Sequence, residues 1–368
     1  MKIGIPKEIK DKESRVALTP EGAARLLGLG HQVRVQTGAG AGSGFTDQEY
    51  LAAGAVICTV ADAWDCDLVI KVKEPLEAEY GFLHDQMLFT FFHLAGVPRT
   101  LTEALLAGKT SAIAYETLED ETGRLPLLAP MSAVAGNMAT LMGAYYLARN
   151  NGGKGVQLGE VLGVRHGKVF IIGDGVVASH AARVAQGLGA QVVVAGLDPA
   201  KGERMRGEIG GDLEFFISAS DAIARHVRDS DVVIGAVLRH GAKADYVVTE
   251  RMVQSMQPGS VIVDVSIDQG GCIETSRPTS HSHPVYEKHG VIHYCVTNMP
   301  GAYPRTSTLA LTEATLPYAV RLAEKGLDAL REDAGFGKAL NTNRGFITCK
   351  AVAEALNMTD RYQNFSDL

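Results

Sequence analysis

The chain has 368 residues, too many for one typical domain, so two are expected. Its 46% hydrophobic content and 41 glycines suit a soluble α/β protein rich in strand-to-helix turns. A net charge of −7 and a pI near 5.9 argue against nucleic acid or an anionic membrane as main partner.

The five cysteines are Cys58, Cys66, Cys272, Cys295 and Cys349. Their number is odd and none forms a C-x-x-C pair, so reduced thiols are expected rather than zinc or disulfides. The N-terminal residues lack the apolar core of a signal peptide, and no apolar run approaches ~18 residues. The expected location is cytoplasmic.

In chain order, Lys2–Pro6 reads as a strand. Thr19 caps a helix that Pro20 begins and Gly30 ends. Gln32–Gln36 alternates as a strand and leads into Thr37–Gly44, which carries four glycines. No helical pattern follows directly, so this is read as a connecting loop. Strand signals at Ala55–Cys58, Leu68–Val72, Met87–Phe91 and Ser111–Tyr115 alternate with helical stretches. That alternation predicts a doubly wound parallel sheet. A small-residue helix covers about residues 130 to 150, with Ser132 as its expected cap. Six further strands are expected at Val169–Ile172, Gln191–Ala195, Leu213–Ile217, Val232–Val237, Val261–Val265 and Val291–Val296, the number of a dinucleotide-binding sheet. A helix is expected over Thr306–Leu330, kinked at Pro317. The tail is too short for a third domain and is expected to return to the first. The expected fold class is therefore α/β. A Rossmann domain (128–304) is inserted in a discontinuous substrate domain (1–127 and 305–368).

The Rossmann signal is Val169–Ala178. An apolar strand runs into G-x-G-x-x-A at Gly173, Gly175 and Ala178, with Val176 and Val177 opening a helix. Gly173 allows the turn, Gly175 lets backbone approach a pyrophosphate, and Ala178 lets the helix pack on the strand. The helix face is expected to carry Val177, Ala181, Val184 and Leu188. Such folds place an acid at the end of the second strand to hold the adenosine ribose. Here Gly196 occupies that position and Asp198 follows two residues later. Either Asp198 reaches back and NAD binds, or the lost charge admits the 2′-phosphate of NADP, with Lys201, Arg204 or Arg206 as partner. NAD is favoured because Asp198 lies ~20 residues past the glycine turn.

Four polar residues follow strands, where the chemistry of open α/β sheets gathers. Arg15 offers a planar fork to a carboxylate. Lys73 could clamp a carboxylate or be a solvated charge. His93 ends an apolar run, and an ordinary imidazole suits proton transfer at neutral pH, yet it could simply be packed there. Asp268 could steer water or ammonia, or form a turn before glycines. His281 and His283, with His289 and His293, read as loop residues rather than a metal site.

Together these residues carry a resemblance. Gly4–Glu8, Arg15–Pro20, Lys71–Pro75, Leu128–Ser132, Asp268–Cys272 and Asn298–Gly301 resemble the alanine dehydrogenase family, in its order and over essentially the whole chain. The related transhydrogenase nucleotide-binding subunit lacks the set Arg15, Lys73, His93 and Asp268. The resemblance implies reversible deamination of L-alanine to pyruvate and ammonium with NAD. It implies that Arg15 and Lys73 bind substrate, His93 is the acid/base and Asp268 assists water or ammonia. It also implies cofactor contacts at Ser132, Ser218, Val237, Leu238, Ile267, Asp268, Asn298 and Met299, beside Gly173–Ala178, Asp198 and Lys201. A homohexamer is implied as well. Alternatives are a relative with changed substrate or NADP preference, and a non-catalytic nucleotide-binding subunit. Gly196, Asp174 and the Arg239-His240 pair depart from the family pattern and put cofactor preference in question.

Overall fold

The structure, a computed structural model, describes residues 1–237 and 246–367. It divides into two compact units, Met1–Met131 with Gly301–Leu368, and Ser132–Pro300. The first unit opens with β1 (Lys2–Ile5), β2 (Gln32–Gln36), β3 (Val56–Cys58), β4 (Leu68–Ile70), β5 (Met87–Thr90) and β6 (Ser111–Ala114). The second holds β7 (Gly159–Val161), β8 (Val164–His166), β9 (Lys168–Ile172), β10 (Gln191–Gly196) and β11 (Glu214–Ile217). It continues with β12 (Val232–Gly235), β13 (Val261–Asp264), β14 (Val285–Lys288) and β15 (Val291–Tyr294). The chain then returns to the first unit with β16 (Leu340–Asn343) and β17 (Phe346–Ile347).

The first sheet has the order β3-β2-β1-β4-β5-β6-β16-β17. Strands β1 to β6 are parallel, so the order reverses between β1 and β4. The expected all-parallel sheet is corrected at one edge, where β16 runs antiparallel to β6 and to β17. The two-residue turn Arg344-Gly345 joins β16 to β17 with both φ values positive, 49° and 88°. That backbone matches the twist of a tight hairpin. Strand β16 reads Leu-Asn-Thr-Asn and is buried throughout. Ser111 Oγ donates to Asn343 Oδ1 at 3.0 Å and Thr342 Oγ1 donates to the Thr110 carbonyl at 2.9 Å. Hydrogen bonding thus offsets part of the cost of burying its polar groups, while Asn341 Oδ1 and Asn343 Nδ2 are buried with no partner among the described residues.

The second sheet has the order β11-β10-β9-β12-β13-β15-β14. The six parallel strands give the doubly wound order 3-2-1-4-5-6, with reversal between β9 and β12. An antiparallel edge strand, β14, and the hairpin β7–β8 add to the six expected strands. Side chains of β9 alternate across the sheet. Val169 and Ile171 enter one apolar layer, Phe170 and Ile172 the other. Burial on both faces explains the unbroken apolar run, each such side chain contributing roughly 1.5–3 kcal/mol.

The helix Val176–Gly187 buries Ala178, Ala181, Ala182 and Ala185. This corrects the expected face: Val184 is half-buried and Leu188 exposed, because alanines let the helix approach the sheet closely. The helix expected over about residues 130 to 150 is Ala129–Leu147, and Ser132 is no cap because it lies inside it. The late helix runs from Pro304 to Lys325 through Pro317, and a separate turn, Asp328–Arg331, completes the expected stretch. Thr19 caps Pro20–Gly28 as expected, its Oγ1 accepting from Gly22 N at 3.1 Å. All five cysteines are free thiols. No helix among the described residues is long and apolar enough to cross a membrane.

One buried histidine makes stability pH-dependent. His293 in β15 donates from Nδ1 to the Val291 carbonyl at 2.9 Å and pairs through Nε2 with Thr275 Oγ1 at 2.8 Å. Burial pushes its pKa down to about 4 from 6.5. The neutral form is favoured on folding, so its contribution is intact above 6.5 and lost as pH falls through 4. A loss on the order of 3 kcal/mol is expected over that window. Urea midpoints measured from pH 7 to 4 check it: the slope should be smaller in His293→Gln, and an equal slope would contradict the assignment.

Candidate active site

In the first unit, four candidate groups follow the carboxyl ends of neighbouring strands. Arg15 comes after β1, Lys73 after β4, His93 after β5 and Glu116 after β6. This is the reversal point of the sheet, where ligands of such folds bind. The glycine-rich segment 37–44 buttresses Arg15. A Cβ on Gly42 would lie 2.8 Å from the Ser14 carbonyl, and Ser43 Oγ donates to that same oxygen at 2.9 Å. The segment is a packed connection with a 3₁₀ turn at Ala41–Ser43, and the expectation that no helix follows is corrected: Asp47–Ala52 is a helix capped by Thr46.

Arg15 is 2% exposed, and its Nε donates to Glu13 Oε1 at 2.7 Å while Nη2 donates to Oε2. The fork is thus held in plane by a carboxylate two residues away. Lys73 is buried, with Nζ 5.8 Å from the centre of the Phe91 ring. The His93 ring stacks on the same Phe91 at 5.7 Å. Glu8 fixes the strand end: its Oε1 accepts from Val72 N at 2.7 Å, and its other oxygen meets Lys71 Nζ at 3.1 Å. Glu79 also pairs with Lys71, at 2.9 Å. Burial pushes the Lys71 ammonium down, but Glu8 and Glu79 outweigh it and hold Lys71 protonated.

His93 adopts a left-handed backbone, φ 50°. The Glu116 carboxylate holds it there, accepting from His93 N at 2.6 Å and Phe92 N at 3.2 Å. Strained backbone of this kind persists only where its surroundings enforce it.

In the second unit, Gly173 has φ 131°, and a Cβ there would lie 2.3 Å from the Ala236 carbonyl. Gly175 caps the helix Val176–Gly187 without a side chain and faces open space. The first helical N–H groups thus have no side-chain cap, which fits the pyrophosphate of a dinucleotide. Gly173→Ala should weaken NADH binding about tenfold, since strain of 1–3 kcal/mol enters the turn. A fluorescence titration checks this; unchanged affinity would exclude the turn from binding.

Asp198 caps the helix Pro199–Ile209, accepting from Ala200 N at 2.9 Å. Lys201 pairs with Asp174, Nζ to Oδ1 at 3.0 Å. Ser218 N donates to the Gly196 carbonyl at 2.8 Å, which places it beside the tip of β10. Arg206 pairs with Glu203, and Arg204 lies 3.9 Å from Glu208.

Asp268 is exposed in the turn Val265–Gln269, and its Oδ1 accepts from Asn298 N at 3.3 Å. Asn298 has φ 60°, and Ile267 and Met299 are buried beside this turn and the next. Val237 N donates to Ser266 Oγ at 3.0 Å. Ser132 is half-buried in its helix. Leu238 and the Arg239-His240 pair lie outside the described residues. The residues expected to act together are therefore carried as Arg15, Lys73 and His93 in one unit and Asp268 in the other. His281 Nε2 contacts the Asn298 carbonyl at 3.1 Å, and His289 pairs with Glu250. Among the described residues no His, Cys, Asp or Glu group is arranged to hold a metal.

Sequence reasoning missed the supporting acids Glu8, Glu13, Glu116 and Asp264. Asp264 is fully buried and accepts from Ser266, Cys272 and Ile273 N at 3.1, 3.1 and 3.3 Å, shaping the loop that carries Asp268. Burial pushes its pKa up to about 6. An acid inside or just beyond an apolar strand was the available signal.

Residues 4–135 match the family model Alanine dehydrogenase/PNT, N-terminal domain, and residues 139–350 match Alanine dehydrogenase/PNT, C-terminal domain. The chain is 51% identical to an alanine dehydrogenase of Lysinibacillus sphaericus, covering 100% of each. A solved L-alanine dehydrogenase superposes with TM-score 0.92 at 48% identity, covering 97% of this chain and 99% of that one. A transhydrogenase from Sinorhizobium meliloti superposes at TM-score 0.81 with 27% identity, covering 95% and 100%. With both units matched and half of all residues shared end to end, the chain belongs to the alanine dehydrogenase/PNT family.

Proposed function

We propose that this protein is an NAD-dependent alanine dehydrogenase. It converts L-alanine, water and NAD⁺ reversibly to pyruvate, ammonium, NADH and a proton. The observation that carries this reading is the end-to-end identity to alanine dehydrogenases. The bound nicotinamide supplies the hydride acceptor, so the protein has to bind, orient and move protons.

Arg15 and Lys73 bind the substrate carboxylate and carbonyl oxygen. Glu13 keeps the Arg15 plane fixed, and Glu8 fixes the backbone that carries Lys73. His93 gives or takes the proton at the oxygen of the carbonyl or carbinolamine. Asp268 orients the attacking water or ammonia. Gly173–Ala178 and the helix they open receive the pyrophosphate. Ser132, Val237, Ile267, Asn298 and Met299 contact the nicotinamide half, and Asp198, Lys201 and Ser218 lie toward the adenosine half; Leu238, the remaining cofactor candidate, lies outside the described residues. NAD is preferred over NADP, because Lys201 and Arg206 already face carboxylates.

The test is NADH absorbance with pyruvate and ammonium. Consumption supports the reading. Activity only on other 2-oxo acids would make the protein a relative of changed specificity, and nucleotide binding without turnover a non-catalytic one. A cytoplasmic homohexamer is the proposed state. The exposed apolar residues Val161, Leu162 and Val164 of the hairpin β7–β8 are consistent with burial in an oligomer. Light scattering that gives a single-chain mass would refute the hexamer.

A further inference from the structure

At the tip of β10, where doubly wound folds place their ribose-binding acid, this chain has a glycine. The structure shows why no side chain fits there. A Cβ on Gly196 would lie 2.5 Å from the Phe215 ring and 2.8 Å from Cβ of Asp174. The space is already taken, by the Phe215 ring and by the base of the Asp174 side chain from the adjacent strand end.

Asp174 is the residue between the two glycines of the turn. Its Oδ2 accepts from Leu197 N at 2.8 Å and from Asp198 N at 3.0 Å. Its Oδ1 meets Lys201 Nζ at 3.0 Å. Its side chain is 13% exposed. A carboxylate has about four lone-pair sites, and these three bonds leave one for a ligand hydroxyl. Asp198, by contrast, caps a helix with Oδ1.

We propose that Asp174, reaching across from β9, replaces the missing acid of β10 and sets the preference for an unphosphorylated adenosine ribose. The inference rests on the dinucleotide reading above and deepens it. The carboxylate accepts a ribose hydroxyl and repels a 2′-phosphate at the same point. It also occupies Lys201, the cation best placed to attract that phosphate.

The test measures binding, by calorimetry, of ADP-ribose and of 2′-phospho-ADP-ribose, with no turnover involved. The native protein should bind ADP-ribose at least tenfold more tightly. Asp174→Asn keeps the shape but loses the charge, and should shrink that ratio at least tenfold. Lys201→Gln alters a half-exposed residue, so it serves even if the first variant fails to fold. It leaves the carboxylate charge uncompensated and should widen the ratio at least threefold. Ratios within twofold of native in the variants, or equal weakening of both ligands, would overturn the proposal and leave Asp174 a structural residue. Failure of the native protein to bind ADP-ribose at all would instead refute the dinucleotide reading.

Discussion

Replacing His93 with Ala should lower kcat by about 10²–10⁴, the usual loss on removing a general acid/base. The expectation rests on how firmly the ring is placed. Its backbone sits in the left-handed region, clamped by both oxygens of Glu116, and its face lies on Phe91. A histidine that only filled space would need none of this. NADH binding should survive, because the glycine turn belongs to the other compact unit. A fall in kcat of less than tenfold would remove His93 from the chemistry.

Lys73→Ala should cost about 2–5 kcal/mol of substrate recognition, the range for truncating one partner of a buried charge pair. In kcat/KM for pyruvate that is a loss of about thirtyfold to several thousandfold. Lys73 suits such a test better than Arg15. Arg15 is locked to buried Glu13, so removing it strands a carboxylate and endangers the fold. The Lys73 ammonium lies over an aromatic ring, and the backbone at this strand end is anchored by Glu8 through Val72 N, which the substitution leaves in place. Equal loss of pyruvate turnover and NADH affinity would point to misfolding and defeat the assignment.

Much of the fold was legible because parallel strands buried on both faces are apolar without interruption, as in Val169–Ile172. Strands β16 and β14 were not legible. Asn341, Thr342 and Asn343 look like a loop until their hydrogen-bond partners across the sheet are known. The hairpin β7–β8 is short, and its exposed valines carry no clear alternation. Ser132 misled because a serine before small apolar residues has the composition of a cap, whereas the helix had already begun at Ala129.

Of the site, the residue types and their attachment to strand ends follow from the order of amino acids alone: Arg15, Lys73, His93, Asp268 and the glycine turn. Periodicity and local turn chemistry suffice for that, since each depends on neighbours in the chain. What holds them in place depends on the folded chain. Glu116 reaches His93, Glu8 reaches the strand of Lys73, and Asp174 reaches the tip of β10, across 23, 64 and 23 to 24 residues. Contacts over such separations are set by strand order, and strand order follows from how two apolar layers close around each sheet.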